Sequence, residues 1–111
     1  MWIDYEKLEA LGLDHYLHGD CDDWVLENFQ NGDQAIIWNE YNEDVGKVVL
    51  IHCYIKRGNL FLDIRGETPN EDDIEDGFDY GHDKGKIYCN SIKEYKLWIR
   101  KICNYKSKKW K

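Results

Sequence analysis

The stretch Ile51-His52-Cys53-Tyr54-Ile55-Lys56-Arg57-Gly58-Asn59-Leu60-Phe61-Leu62-Asp63-Ile64-Arg65-Gly66 decides how this chain folds. Two β-branched and aromatic runs flank Arg57-Gly58-Asn59, the signature of a β-hairpin. Facing residues in a hairpin keep a constant number sum, so the turn sets which side chains meet. A two-residue turn at Arg57-Gly58 gives a sum of 115 and puts His52 opposite Asp63; one at Gly58-Asn59 gives 117 and leaves them diagonal on one face. Either places an imidazole beside a carboxylate, as a general base and its orienting acid require. Alternation predicts an aliphatic face of Ile51, Cys53, Ile55, Leu60, Leu62 and Ile64. The opposite face carries His52, Tyr54, Phe61, Asp63 and Arg65.

Outward from the hairpin, the pattern predicts a helix over Ile3–Leu11 ended by Gly12, and a second starting at Asp20–Trp24. Asp20 is placed as its N-cap, with Asp23 completing an approximate capping box. Gln34–Tyr41 and Gly85–Asn90 read as strands. Gly66–Asp83 reads as a loop with a helical turn at Glu71–Asp76. Ser91 caps a last helix, with Glu94 as its box partner. This order predicts an α+β fold, a small antiparallel sheet packed by helices. With 111 residues, one domain spanning 1–111 is expected, ending in a basic tail over 104–111.

Composition limits the function classes. Apolar residues make up 42% and the chain holds five Trp and eight Tyr, enough for a packed core. No apolar run approaches the roughly 20 residues of a membrane span, and the first residues lack the layout of a signal peptide. A cytoplasmic protein with no membrane partner and reduced cysteines is expected. The net charge of −7 disfavours nucleic acid. No Cys-x-x-Cys pair occurs, and His18-x-x-Cys21 has no matching half-site, so no metal or other cofactor is expected. Cys53, Cys89 and Cys103 read as buried structural thiols. His82 reads as a loop group.

Cys21 supplies a nucleophile for the His52–Asp63 pair. A first-turn position exposes a thiol to unpaired backbone N–H groups and to the helix dipole, both of which favour the thiolate and can hold an oxyanion. Asp20, Asp22 and Asp23 act the other way, since like charge disfavours ionisation.

Gly19-Asp20-Cys21-Asp22-Asp23-Trp24, Leu50-Ile51-His52-Cys53-Tyr54 and the return Gly58–Gly66 together resemble the papain-like superfamily. The likeness is to its compact NlpC/P60- and transglutaminase-like forms and small phage or bacterial relatives. The resemblance implies Cys21 as nucleophile, His52 as general base and Asp63 as orienter, in a cysteine peptidase- or amidase-like hydrolase acting on a peptide or protein substrate. The papain pattern places an oxyanion-hole Gln about six residues before the Cys, where this chain has His15. Tyr16 and His18 are the other candidates for that place, and Arg65 is a candidate for a substrate carboxylate. A second reading is an inactive acidic binding protein of phage or mobile-element type, which would meet a basic partner through Glu67–Asp83.

Overall fold

A computed structural model describes residues 2–16, 20–44, 46–76, 78 and 84–102. His18, His82, Cys103 and the 104–111 tail lie outside the described residues. Five strands form one antiparallel sheet: β1 Gln34–Asn42, β2 Lys47–Arg57, β3 Leu60–Asp63, β4 Gly66–Thr68 and β5 Lys84–Cys89. Their spatial order is β4-β3-β2-β1-β5. Among the described residues, four α-helices, α1 Tyr5–Ala10, α2 Cys21–Asn28, α3 Glu71–Glu75 and α4 Ile92–Ile102, and a 3-10 helix at Asp14–Tyr16 accompany it. The α+β class read from the sequence is therefore present. No helix among the described residues is long and apolar enough to cross a membrane.

Local chemistry sets most of the boundaries. Asp4 caps α1 through a 2.9 Å bond from the Lys7 N–H, and Gly12, at φ +73°, turns the chain away after it. The Glu94 N–H donates to Ser91 Oγ at 3.1 Å to cap α4. α2 differs from expectation: Asp20 occupies the N-cap position, but its side chain makes no capping bond. Gly66–Thr68, expected as loop, instead folds back on β3 as the edge strand β4, pairing Phe61 with Thr68 and Asp63 with Gly66.

The hairpin takes the Gly58-Asn59 turn. β2 and β3 pair Arg57 with Leu60, Lys56 with Phe61 and Ile55 with Leu62, the register whose sum is 117. Gly58 sits at φ +61°, a conformation that costs any residue with a Cβ.

Both sheet faces are covered. On one, α2 and α4 enclose Val25, Ala35, Ile37, Cys53, Ile55, Tyr95 and Ile99; on the other, Ile36, Trp38, Ile51, Tyr54 and Ile74 pack with Trp2, Phe61 and Phe78. Ile51 was expected beside Cys53 and Ile55, and it lies on the opposite face. The cause is a β-bulge: Trp38 pairs with His52 but Asn39 pairs with Leu50, so Ile51 is an extra residue. Leu50 takes its place on the α2 side, while Ile51 and His52 share the other.

Replacing Gly58 with Val should lower stability by about 1–2 kcal/mol, because the turn holds a side chain in the left-handed region. Urea unfolding followed by tryptophan fluorescence measures the loss.

Candidate functional site

The site begins with the Asp63 carboxylate at the end of β3. His52 Nε2 lies 3.0 Å from Asp63 Oδ2, and both side chains are buried. In the observed register the position facing Asp63 is that of Tyr54, so His52 reaches the carboxylate along the diagonal. The imidazole is wedged between aromatic rings, with its centroid 4.7 Å from Phe78 and 5.7 Å from Tyr54. Its second nitrogen, Nδ1, is fully buried and has no hydrogen-bond partner among the described residues.

Arg65 holds Asp63 from the other side. Its backbone N–H donates to Oδ1 at 2.8 Å, its Nε to both oxygens at 3.2 Å, and its Nη2 to Oδ2 at 2.7 Å. The remaining donors bond the carbonyls of Asp76 and Ile74 at 2.8 and 2.7 Å, and the guanidinium lies 4.7 Å from the Trp2 ring. Arg65 is 1% exposed. It was expected as a partner for a substrate carboxylate; its bonds to Asp63 and the α3 segment use it inside the fold instead. The adjacent Ile3 N–H donates to the Arg65 carbonyl at 2.8 Å, so the same residue anchors the chain before α1.

α2 brings its first residue, Cys21, to this pair. α2 packs on β2, and Cys21 shares a buried cluster with Cys53, the residue after His52. A hydrogen bond with the Cys53 thiol draws the Cys21 pKa well below that of a free thiol. Burial opposes the shift, and the nearby His52 ring and its charge reinforce it. Burial acts to lower the His52 pKa, but the Asp63 hydrogen bond, the nearby Cys21 thiol and the negative charges of both outweigh it, so the ring is raised. Burial acts to raise Asp63, and the His52 and Arg65 hydrogen bonds hold it below the usual carboxylate value. Cys53 moves upward through burial and its thiolate neighbour, remaining a donor. The three shifts share one sense: each favours the charged form of Cys21, His52 and Asp63 relative to the free group.

His52 and Asp63 are hydrogen-bonded, and Cys21 and His52 each shift the other's pKa. Asp22 is also buried, and the Tyr95 hydroxyl donates to its backbone carbonyl at 3.0 Å, tying α4 to the start of α2. His15 is exposed, its ring 4.3 Å from that of Tyr16, and its carbonyl accepts the Asp20 N–H at 3.0 Å. These two candidates flank the loop leading to Cys21, and His18 lies outside the described residues. Sequence reasoning missed Cys53 and the anchoring role of Arg65. Strand alternation sends Cys53 away from His52, and only the position of α2 brings a second thiol to that face. For Arg65, the short spacing Asp63-x-Arg65 across a tight turn was the available signal.

The acid-rich segment is partly committed within the fold. Glu71 accepts the Tyr54 hydroxyl at 2.7 Å, Glu71 and Glu75 hold Lys86 at 3.1 and 3.0 Å, and Asp73 accepts from Thr68. Glu67, Asp72 and Asp76 remain exposed.

Two outcomes follow from this geometry. Arg65→Met leaves the buried Asp63 charge without its main partner and should cost about 3–5 kcal/mol in urea unfolding, with Arg65→Lys losing less. A lowered thiol pKa keeps the thiolate above that pKa and loses it as pH falls, so iodoacetamide should alkylate Cys21 at neutral pH. His52→Ala should move the onset toward the ordinary ~8.5. Cys89, pushed up to about 11 by burial and the Glu94 charge, should lag in both proteins by peptide mass spectrometry. Comparison with known proteins adds no assignment to this geometry: the chain matches no protein-family model, no curated protein and no solved structure.

Proposed function

We propose that this chain is a papain-like thiol hydrolase or acyl transferase that acts on an amide or thioester of a peptide or protein substrate. The observation that carries the reading is the buried His52–Asp63 bond, with the Cys21 thiol and the His52 ring each shifting the other's pKa. Nε2 is occupied by Asp63, which leaves Nδ1 as the nitrogen that exchanges a proton with sulfur.

In this mechanism His52 takes the Cys21 proton and the sulfur attacks the carbonyl carbon. The oxyanion forms at the start of α2, where backbone N–H groups and the helix dipole favour negative charge. The imidazolium returns the proton to the leaving nitrogen or sulfur as that bond breaks, giving an acyl-Cys21 thioester. Water, or an acceptor amine in transfer, attacks next; His52 removes its proton and passes it to the departing Cys21 sulfur. Asp63 stays ionised throughout and holds the ring in one orientation. Cys53 assists by donating to the Cys21 sulfur.

A second reading draws on one observation: Cys21 is only 2% exposed. A substrate carbonyl must displace covering groups to reach it, whereas a binding protein with the same internal network needs no such access. In that reading the chain meets a basic partner through the exposed acids of Glu67–Asp83.

Incubation with p-nitrophenyl thioacetate separates the two. The hydrolase reading expects release of the nitrothiophenol and one acetyl group on Cys21 by intact mass. Release should be abolished in Cys21→Ala and slowed about 10²–10⁴-fold in His52→Ala. Release unchanged in Cys21→Ala, or acetylation at Cys89 in preference to Cys21, would overturn it in favour of the binding reading.

A further inference from the structure

Charge in this chain is segregated by element. Residues 92–111 hold eight Lys or Arg and one acid, while residues 1–91 hold seven Lys or Arg and twenty-one acids. The basic segment opens with α4, whose inner face is spent on the core through Tyr95 and Ile99. Its outer face carries two large apolar side chains, Leu97 at 52% and Trp98 at 37% exposed.

Beside Trp98 the helix and the sheet leave a groove of about 380 Å³, within the range of small-ligand and side-chain pockets. Val48, Ile87 and Ile102 line it with aliphatic surface. Lys47 and Lys101 stand at its rim, and neither forms an ion pair among the described residues. The Lys101 ammonium lies 4.8 Å from the Trp98 ring centroid, which holds the indole at the mouth. This groove is not lined by Cys21, His52 or Asp63.

We propose that this groove binds an acidic peptide segment, inserting one bulky apolar side chain while flanking carboxylates engage Lys47 and Lys101. An apolar floor between two unpaired cations matches such an anchor in both shape and charge. The recessed floor sets it apart from a bilayer-binding face, which presents its apolar atoms outward. A single-strand site combines a cationic groove tracking the backbone with several stacking platforms, whereas Trp98 is the one aromatic side chain lining this groove among the described residues. Like charge argues against the chain's own C-terminal sequence as occupant, because Lys106, Lys108, Lys109 and Lys111 follow Ile102.

The test uses fluorescence anisotropy of a labelled Glu-Asp-Leu-Phe-Asp-Glu peptide on the full chain. Saturable binding that weakens with added salt is expected. The Lys47→Glu, Lys101→Glu double variant and Trp98→Ala should each weaken it about tenfold. Circular dichroism checks that both variants fold, and the surface-charge variant carries the test if Trp98→Ala does not. A peptide with Ala-Ala in place of Leu-Phe should bind at least as weakly as the variants allow. Cys21→Ala should bind like the unmodified chain, which keeps this inference separate from the thiol chemistry. Absent saturation, binding indifferent to both variants, or tighter binding to oligothymidine or phosphatidylserine vesicles would overturn it.

Discussion

The Asp63 carboxylate is shared between two groups, and much of the molecule is arranged around that sharing. A buried carboxylate is costly unless it is paired and fully hydrogen-bonded. Here His52 takes one oxygen and Arg65 wraps both, while the leftover guanidinium donors hold the carbonyls of α3. The consequence is structural as well as chemical. The β3–β4 turn, the segment before α1, α3 and the β2 imidazole are tied to one charge. Arg65 also keeps Asp63 ionised, so His52 faces a permanent anion on one side and can respond to the thiol on the other.

The thiol side is set by how α2 meets the sheet. Its first residue reaches His52 and also Cys53, whose side chain strand alternation directs to the opposite sheet face. The contact gives Cys21 a neutral donor and a cationic neighbour at once. That combination outweighs the burial of the thiol. The β-bulge at Ile51 contributes by placing Ile51 and His52 on the aromatic face together, where Phe78 and Tyr54 sandwich the ring and keep water from it.

Charge is distributed so that the two ends of the fold differ. Glu71, Asp73 and Glu75 are spent on internal contacts with Lys86, Tyr54 and Thr68, while Glu67, Asp72 and Asp76 stay exposed. Lys101 of α4 and Lys47 of β2, by contrast, border an apolar groove. Net charge alone therefore misdescribes what each surface can bind.

The sequence by itself determined the features governed by short-range rules. The Gly58 turn, the cap at Ser91, the α+β order and the common face of His52 and Asp63 all follow from turn chemistry, capping and strand parity. These act over a few residues and are written locally. The Cys21 position at a helix start was legible for the same reason. Tertiary structure alone decided the rest. The Ile51 bulge depends on how β1 pairs with β2, and the edge strand β4 depends on β3 offering it a partner. The failure of Asp20 to cap and the approach of Cys21 to Cys53 depend on where α2 is docked. Arg65 was a candidate for a substrate carboxylate because the sequence does not show how its guanidinium is used. Its partners come from α3 and from Trp2, and no local pattern encodes contacts between elements that meet only when the sheet is assembled.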